Sequence, residues 1–226
     1  MKRSQINEIL READAFIKKM GFHLPPFAYF KPDKWKMLGD DWSEVRDNML
    51  GWDITDYGHG KFSEIGLTLF TIRNGNNRNA RYQKPYAEKL LISEEDQICP
   101  NHFHFSKMED IINRGGGNLM MRIYQSDKTG GLSPEDVTIM TDGNRKTVKA
   151  GTVIRLSPGM SITLPPGQYH EFWAERGFGK VLIGEVSSVN DDETDNRFYE
   201  KQGRFPEIEE DEPPLFLLCN EYGAAI

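Results

Sequence analysis

The most restrictive stretch of the sequence lies near its middle and reads Cys99-Pro-Asn-His-Phe-His-Phe-Ser-Lys-Met-Glu109. His102 and His104 are two residues apart, so in a β-strand both side chains point to the same face. On a helix the two imidazoles would lie roughly 200° apart and could not meet at one ion. Glu109 can return to that ion after a short turn. The stretch therefore predicts a strand that contributes three metal ligands.

A second stretch, Leu164-Pro-Pro-Gly-Gln-Tyr-His170, supplies the fourth ligand. Here a proline- and glycine-rich turn leads directly into a histidine at the start of the strand-like run His170–Trp173. The chain has five histidines, and three of them fall in these two stretches. We predict a metal ion held by His170 with the two earlier imidazoles and the glutamate. His23 and His59 are interpreted as ordinary structural histidines.

The types of ligand limit the choice of metal but do not identify the ion. Imidazole and carboxylate ligands suit Mn²⁺, Fe²⁺, Co²⁺, Ni²⁺ or Zn²⁺. Cys99 and Cys219 are far apart and match neither zinc nor redox spacing, which argues against a structural zinc site. Two unpaired cysteines also favour a reducing, intracellular compartment.

Length and charge narrow the class of protein. At 226 residues, with twenty-one glycines and twelve prolines, the chain is expected to form one turn-rich β domain with an extension. A net charge of −7 without a basic patch argues against a nucleic-acid partner. The first residues lack the apolar core of a signal peptide, and no apolar run is long enough to span a membrane. We therefore expect a cytoplasmic protein that is not bound to a membrane.

The first 60 residues are predicted to form an N-terminal helical arm. Apolar residues recur at helical spacing from Gln5 to Met20, with Ser4 as the expected N-cap and Gly21 after the last turn. A capping box at Asp41–Glu44 predicts a short helix through Met49. Residues 51–60 are interpreted as irregular.

The remaining chain, residues 61–226, is predicted to be all-β, with an acidic C-terminal tail. Short strand-like runs separated by turn residues indicate an antiparallel sandwich or a small barrel. Besides the metal-binding stretches, the predicted strands are Leu67–Arg73, Glu88–Ile92, Asn118–Tyr124, Val137–Thr141, Arg145–Val148, Gly151–Leu156, Ser161–Leu164 and Lys180–Val186.

The two histidine stretches resemble the two motifs of the cupin superfamily. The first motif, G-x5-H-x-H-x(3,4)-E-x6-G, is matched by His102, His104, Glu109 and Gly116, with Asp96 in place of the leading glycine. The second, G-x5-P-x-G-x2-H-x3-N, is matched by Gly159, Pro165, Gly167 and His170, with Ala174 in place of asparagine. This resemblance implies a cupin double-stranded β-helix, also called a jelly-roll barrel.

Over essentially its full length, including the helical arm and Gly184–Asn196, the chain resembles the D-lyxose isomerases, a cupin family of sugar isomerases. The resemblance implies an aldose–ketose isomerase that interconverts D-lyxose with D-xylulose and D-mannose with D-fructose. It also implies a divalent metal, usually manganese, a small sugar as substrate and a homodimer.

Three residues are candidates for proton transfer. Glu185 lies among apolar neighbours on the last predicted barrel strand, and a buried carboxylate needs a partner or a function. Lys107 lies between two predicted ligands, where a nearby cation could hold its amine neutral or partly so. Glu207, in the acidic tail, either belongs to a solvated turn or closes over the metal pocket.

Four further residues are candidates for contact with the sugar. Asp192 and Arg204 could bind hydroxyl groups, and Trp173 and Phe103 are interpreted as core or as wall of the sugar pocket. Two other functions stay open: an iron-dependent cupin oxygenase, and a cupin that binds sugar without converting it.

Overall fold

The structure, a computed structural model, describes residues 1–225. Its α-helices are α1 (Arg3–Lys19), α2 (Pro32–Met37) and α3 (Ser43–Asp47), and its 3₁₀ helices are Pro26–Tyr29, Asp40–Trp42 and Tyr222–Ala225. Its strands are β1 (Gly51–Thr55), β2 (Leu67–Arg73), β3 (Tyr86–Ser93), β4 (Cys99–His104), β5 (Glu109–Gly116), β6 (Leu119–Gln125), β7 (Val137–Thr141), β8 (Asn144–Val148), β9 (Val153–Leu156), β10 (Ser161–Leu164), β11 (Gln168–Ala174), β12 (Val181–Ser188) and β13 (Asn196–Phe198). Within these residues, every helix is too short or too polar to cross a membrane.

The strands form two antiparallel sheets. The larger sheet has the order β1-β2-β3-β12-β5-β10-β7-β8, and the smaller has the order β13-β4-β11-β6-β9. Consecutive strands repeatedly cross from one sheet to the other, as in a jelly roll. The predicted all-β cupin barrel with an N-terminal helical arm is confirmed.

The main core lies between the sheets because side chains alternate in direction along each strand. On β7, Val137 and Ile139 are buried while Thr138 and Met140 are exposed. The same alternation brings the inward-facing residues of both sheets into one apolar cluster. Its residues include Leu69, Leu91, Ile111, Met121, Ile123 and Phe172.

Helix α1 covers the outer face of the larger sheet. Ile6, Leu10 and Ile17 lie on one side of the helix and are almost fully buried. They pack with Phe70 and Leu90, which point outward from β2 and β3. These strands are therefore covered on both faces, which explains why they are buried along most of their length.

The start of α1 is held by residues from the other end of the chain. The buried Arg3 guanidinium pairs with Glu210 at 2.6 Å and also with Glu221. The predicted N-cap at Ser4 is wrong, because the helix begins at Arg3, two residues earlier than predicted, and Lys2 is its N-cap. Instead, the Ser4 amide and hydroxyl donate to the Asp211 carboxylate at 2.9 and 2.7 Å. Gly21 has φ of 76°, as expected for the residue that ends the helix.

Two local predictions before residue 60 differ from the structure. The expected capping box at Asp41–Glu44 is not formed, and α3 spans only Ser43–Asp47. Residues 51–55 are not irregular: they form β1, which pairs with β2 and is buried throughout. Although β1 lies before residue 60, it belongs to the larger sheet. The division of the chain into a helical arm and a barrel at residue 60 stays a prediction.

We predict that Leu10→Ala lowers the free energy of unfolding by roughly 2–5 kcal/mol, because it leaves a cavity between α1 and the sheet. Denaturant titration measures the change. Glu8→Ala is the matched control on the exposed side of the same helix, and its effect should stay within about 0.5 kcal/mol. Equal losses from both substitutions would contradict the packing described here.

Candidate active site

Three histidines and a glutamate from three strands converge between the sheets. β4 contributes His102 and His104 on its inward face, and the neighbouring β11 contributes His170, whose Cα pairs with that of His102. The ligand nitrogens of these imidazoles lie within 4.8 Å of one another. Glu109, the first residue of β5, places its Oε1 3.1 Å from His170 Nε2 and 3.4 Å from His104 Nε2.

Each imidazole is oriented through its Nδ1 atom. That nitrogen lies 2.7 Å from the Pro100 carbonyl in His102, 2.7 Å from Asn196 Oδ1 in His104, and 3.1 Å from the Gln168 carbonyl in His170. Because each of these partners is an acceptor, Nδ1 carries the hydrogen and the Nε2 lone pair is free to bind a cation.

The four side chains fit a divalent metal ion. His104 Nε2 is buried and makes no hydrogen bond within residues 1–225. A buried polar atom without a partner is costly, and a cation at the centre of the cluster would satisfy it. Imidazole nitrogens and a carboxylate oxygen are the donors that first-row divalent metals prefer.

The electrostatics of the cluster favour the protonation states that bind metal. Burial lowers the pKa of His102 and of His104, so both imidazoles are neutral. Burial alone would raise the pKa of Glu109, but the Lys107 ammonium together with His104 and His170 outweighs it and holds that pKa well below the usual range. Neutral imidazoles beside an ionised carboxylate are the forms a cation needs.

A second buried carboxylate, Glu185, lies next to this cluster. Lys107 Nζ is 2.7 Å from Glu109 Oε2 and 3.0 Å from Glu185 Oε1, and Lys89 Nζ is 3.4 Å from the same Glu185 oxygen. Burial alone would lower the pKa of Lys107, but the two carboxylates raise it. The expectation of a neutral Lys107 amine is therefore not supported.

Asp192 and Arg204 also line the pocket. The Arg204 guanidinium pairs with Asp53 and, at 2.9 Å, with Asp192 Oδ2. Asp192 Oδ1 in turn accepts a hydrogen bond from Asn196, which also orients His104. These ion pairs connect the pocket wall to the histidine cluster.

The structure does not bring the other three candidates into the pocket. Phe103 lies on the opposite face of β4 from the histidines and packs on Phe105 and Tyr169. Trp173 points away from the barrel interior and lies beside Arg122. Glu207 is exposed, and its carbonyl accepts a hydrogen bond from the N-terminal ammonium.

Sequence reasoning missed several residues that shape the site. Lys89 carried a usable signal, because it is an ionisable residue inside an apolar strand. Asn196 and Asp53 carried none, since their roles depend on pairing with residues that are distant in sequence. Asp195 was also missed: its carboxylate accepts from the amides of Ser106 and Lys107 and fixes the turn before Glu109.

Cys99 and Tyr57 form a neutral pair in the pocket. The Tyr57 hydroxyl lies 3.0 Å from Cys99 Sγ, and burial raises the pKa of the Cys99 thiol to about 12. Since the thiolate is the form that binds metals, Cys99 is not suited to be a ligand.

The departure from the first motif is explained by backbone conformation. Asp96, where the motif has glycine, has φ of 57°. Aspartate is among the residues that tolerate this left-handed region best. The turn before β4 is therefore preserved without glycine.

Two facing sheets with a buried cluster of three histidines between them define a cupin-like barrel whose site could hold a metal ion. The sequence profile of the D-lyxose isomerase family matches residues 1–222. The chain belongs to this family of isomerases.

Individual relatives agree with this assignment. The D-lyxose/D-mannose isomerases of Serratia proteamaculans and Escherichia coli O157:H7 are each 52% identical over 223 residues, which is 98% of both chains. Among solved structures, L-ribose isomerase of Acinetobacter sp. DL28 in complex with L-ribose has a TM-score of 0.59 at 13% identity. That comparison covers 92% of this chain and 98% of the other, and it shows a shared fold.

We predict that His104→Ala loses bound divalent metal on dialysis, because the substitution removes one of the converging imidazoles. Metal content per chain, measured by elemental analysis, is expected to fall close to zero. His59→Ala is the matched control, since His59 is exposed and contacts Gln202 instead. Unchanged metal content in His104→Ala would exclude His104 as a ligand.

Proposed function

We propose that the protein is a metal-dependent aldose–ketose isomerase that interconverts D-lyxose with D-xylulose and D-mannose with D-fructose. One observation carries the proposal: a metal-type cluster and a separate buried carboxylate, Glu185, share one pocket. Membership of the isomerase family supports the reaction class, and the names of the relatives that are 52% identical supply the sugars.

Four side chains would hold the metal: His102, His104, Glu109 and His170. Mn²⁺ is the proposed ion, and Co²⁺, Zn²⁺, Fe²⁺ and Ni²⁺ suit the same donors. When bound, a divalent cation supplies a Lewis acid that polarises the sugar carbonyl.

Glu185 is proposed as the group that moves the carbon-bound proton. Its carboxylate removes the proton from C2 of the aldose and returns it to C1, while the O2 hydroxyl proton passes to O1. The C1 carbonyl becomes an alcohol and C2 becomes the carbonyl, so atoms and electrons balance. An exposed Glu207 far from the pocket has no part in this scheme.

Lys107 is proposed to orient the Glu185 carboxylate and to donate to the sugar oxygens. Its charged amine, 3.0 Å from Glu185 Oε1, orients that carboxylate. Its three donors point to Glu109, Glu185 and, at 3.2 Å, to Asn190 Oδ1. A sugar oxygen that replaces Asn190 as the third acceptor would let Lys107 assist the O2-to-O1 transfer. Asp192 and Arg204 are proposed to bind the hydroxyl groups of the substrate.

We also propose that the protein acts in the cytoplasm as a homodimer. The homodimer follows from the family resemblance. The compartment follows from two buried cysteines that form no disulfide within the described chain.

We predict that treatment with EDTA abolishes the conversion of D-lyxose to D-xylulose and that added Mn²⁺ restores it. Ketose formation by the treated protein, measured before and after the addition, checks this. Full activity after the metal has been removed would disprove metal dependence. Oxygen consumption during turnover, without ketose formation, would indicate an oxygenase instead.

We predict that Glu185→Gln retains metal but lowers kcat at least about 100-fold, because an amide cannot accept the C2 proton. Exchange of the C2 hydrogen with deuterated solvent should be lost to the same extent. Glu171→Gln is the matched control on the outward face of β11, where Glu171 pairs with Arg122. Wild-type turnover by Glu185→Gln would remove this residue from the mechanism.

A further inference from the structure

Two cavities meet at the mouth of the barrel. The inner pocket, which contains the histidine cluster, has a volume of about 60 Å³. The outer cavity, bounded by residues 47–49, 74–79 and 189–193, has a volume of about 530 Å³. Lys89, Asp192 and Arg204 line both cavities and therefore lie at the boundary between them, which we call the neck.

The inner pocket is much the smaller of the two cavities, with about 60 Å³ against about 530 Å³ for the outer one. A sugar whose C1 and C2 lie at the metal cluster would find more room for its distal carbons beyond the neck.

Strand β2 runs from the inner pocket to the outer cavity. Leu67 and Leu69 line the former, and Thr71, the next residue on the same face, lines the latter. Two residues along a strand correspond to about 7 Å. Thr71 is also the cross-strand partner of the neck residue Lys89. Thr71 thus lies next to the neck, on the side of the outer cavity, where the distal carbons of the sugar would pass.

Thr71 is a hydroxyl-bearing residue in the wall of the outer cavity. It is only 6% exposed, and its hydroxyl makes no side-chain hydrogen bond within residues 1–225. Asn190, which also lines the outer cavity, uses its Oδ1 to accept from Lys89 at 2.7 Å and from Lys107 at 3.2 Å, which leaves its amide nitrogen as a donor. Both groups are suited to alcohol hydroxyls.

The charges around the outer cavity favour a neutral ligand. Arg78 pairs with Asp191 and Glu193 at 3.0 and 2.9 Å. Arg204 pairs with Asp53 and Asp192, so its charge is likewise compensated. With both guanidinium groups paired and several carboxylates nearby, the cavity is suited to a polyol rather than to a phosphate.

We propose that the outer cavity is the subsite for the distal hydroxyls of the sugar, and that Thr71 determines specificity for hexose over pentose. This inference rests on the proposed isomerase function. D-Mannose has the C2–C4 configuration of D-lyxose and one further carbon, so its additional hydroxyl reaches deeper into the cavity beside Thr71.

The test compares two isosteric substitutions on one strand. Thr71→Val removes the hydroxyl and keeps the shape, and Thr68→Val does the same on the opposite face of β2, between Ile54 and Ile92. For Thr71→Val we expect kcat/KM for D-mannose to fall roughly 2- to 10-fold more than for D-lyxose, mainly through KM. Thr68→Val should leave the ratio of the two sugars unchanged.

A binding measurement separates this subsite from the catalytic proposal. D-Mannitol has no carbonyl and cannot be isomerised, and calorimetric titration of the Mn²⁺-loaded protein reports its affinity directly. We expect weaker D-mannitol binding in Thr71→Val than in Thr68→Val. Weakened binding alongside a wild-type protein that converts neither sugar would overturn the isomerase function and support the subsite. Equal kinetics and equal D-mannitol affinity in both variants would overturn the subsite.

Discussion

The site depends on the balance of charge inside a barrel that is otherwise apolar. Glu109 and Glu185 are buried among aliphatic side chains, where an uncompensated carboxylate would be strongly destabilising. Lys107 contacts both carboxylates and is itself 3% exposed. The opposite charges therefore offset the free-energy cost of burying one another. The metal cluster and the proton-transfer group are therefore not independent features. They are two ends of one buried ion network, which Lys107 joins.

The sequence predicted those parts of the site that depend on local geometry. The spacing of His102 and His104 requires a strand if both are to bind one ion, and β4 has that conformation. His170 and Glu109 could be added because turn residues place Glu109 at the first residue of its strand and His170 near the start of its own. Glu185 could be singled out because an acid within an apolar strand must be satisfied by something. The structure brings all of these side chains together.

Features that depend on long-range pairing could not be predicted in this way. Asn196 orients His104 only because β13 pairs with β4, and no local pattern specifies that neighbour. The strand β1 was missed although its apolar and polar residues alternate, because it is only five residues long and begins at a glycine. Phe103 and Trp173 do not line the pocket for a related reason: they are separated from the ligands of their strands by an odd number of residues along the chain and therefore point to the opposite face. Phe103 is buried there, in agreement with the alternative that it is a core residue.

The contacts between the two ends of the chain have a consequence for biosynthesis. The first helix contains Arg3, whose partners Glu210 and Glu221 are separated from it by nearly the whole sequence. The strand β12 under the helix is also made late, since it ends at Ser188. Helix α1 is made before β12 and the tail, and it can complete its docking only after they have been synthesised. Until then its apolar face has no completed sheet to pack on and is open to contact with other nascent chains.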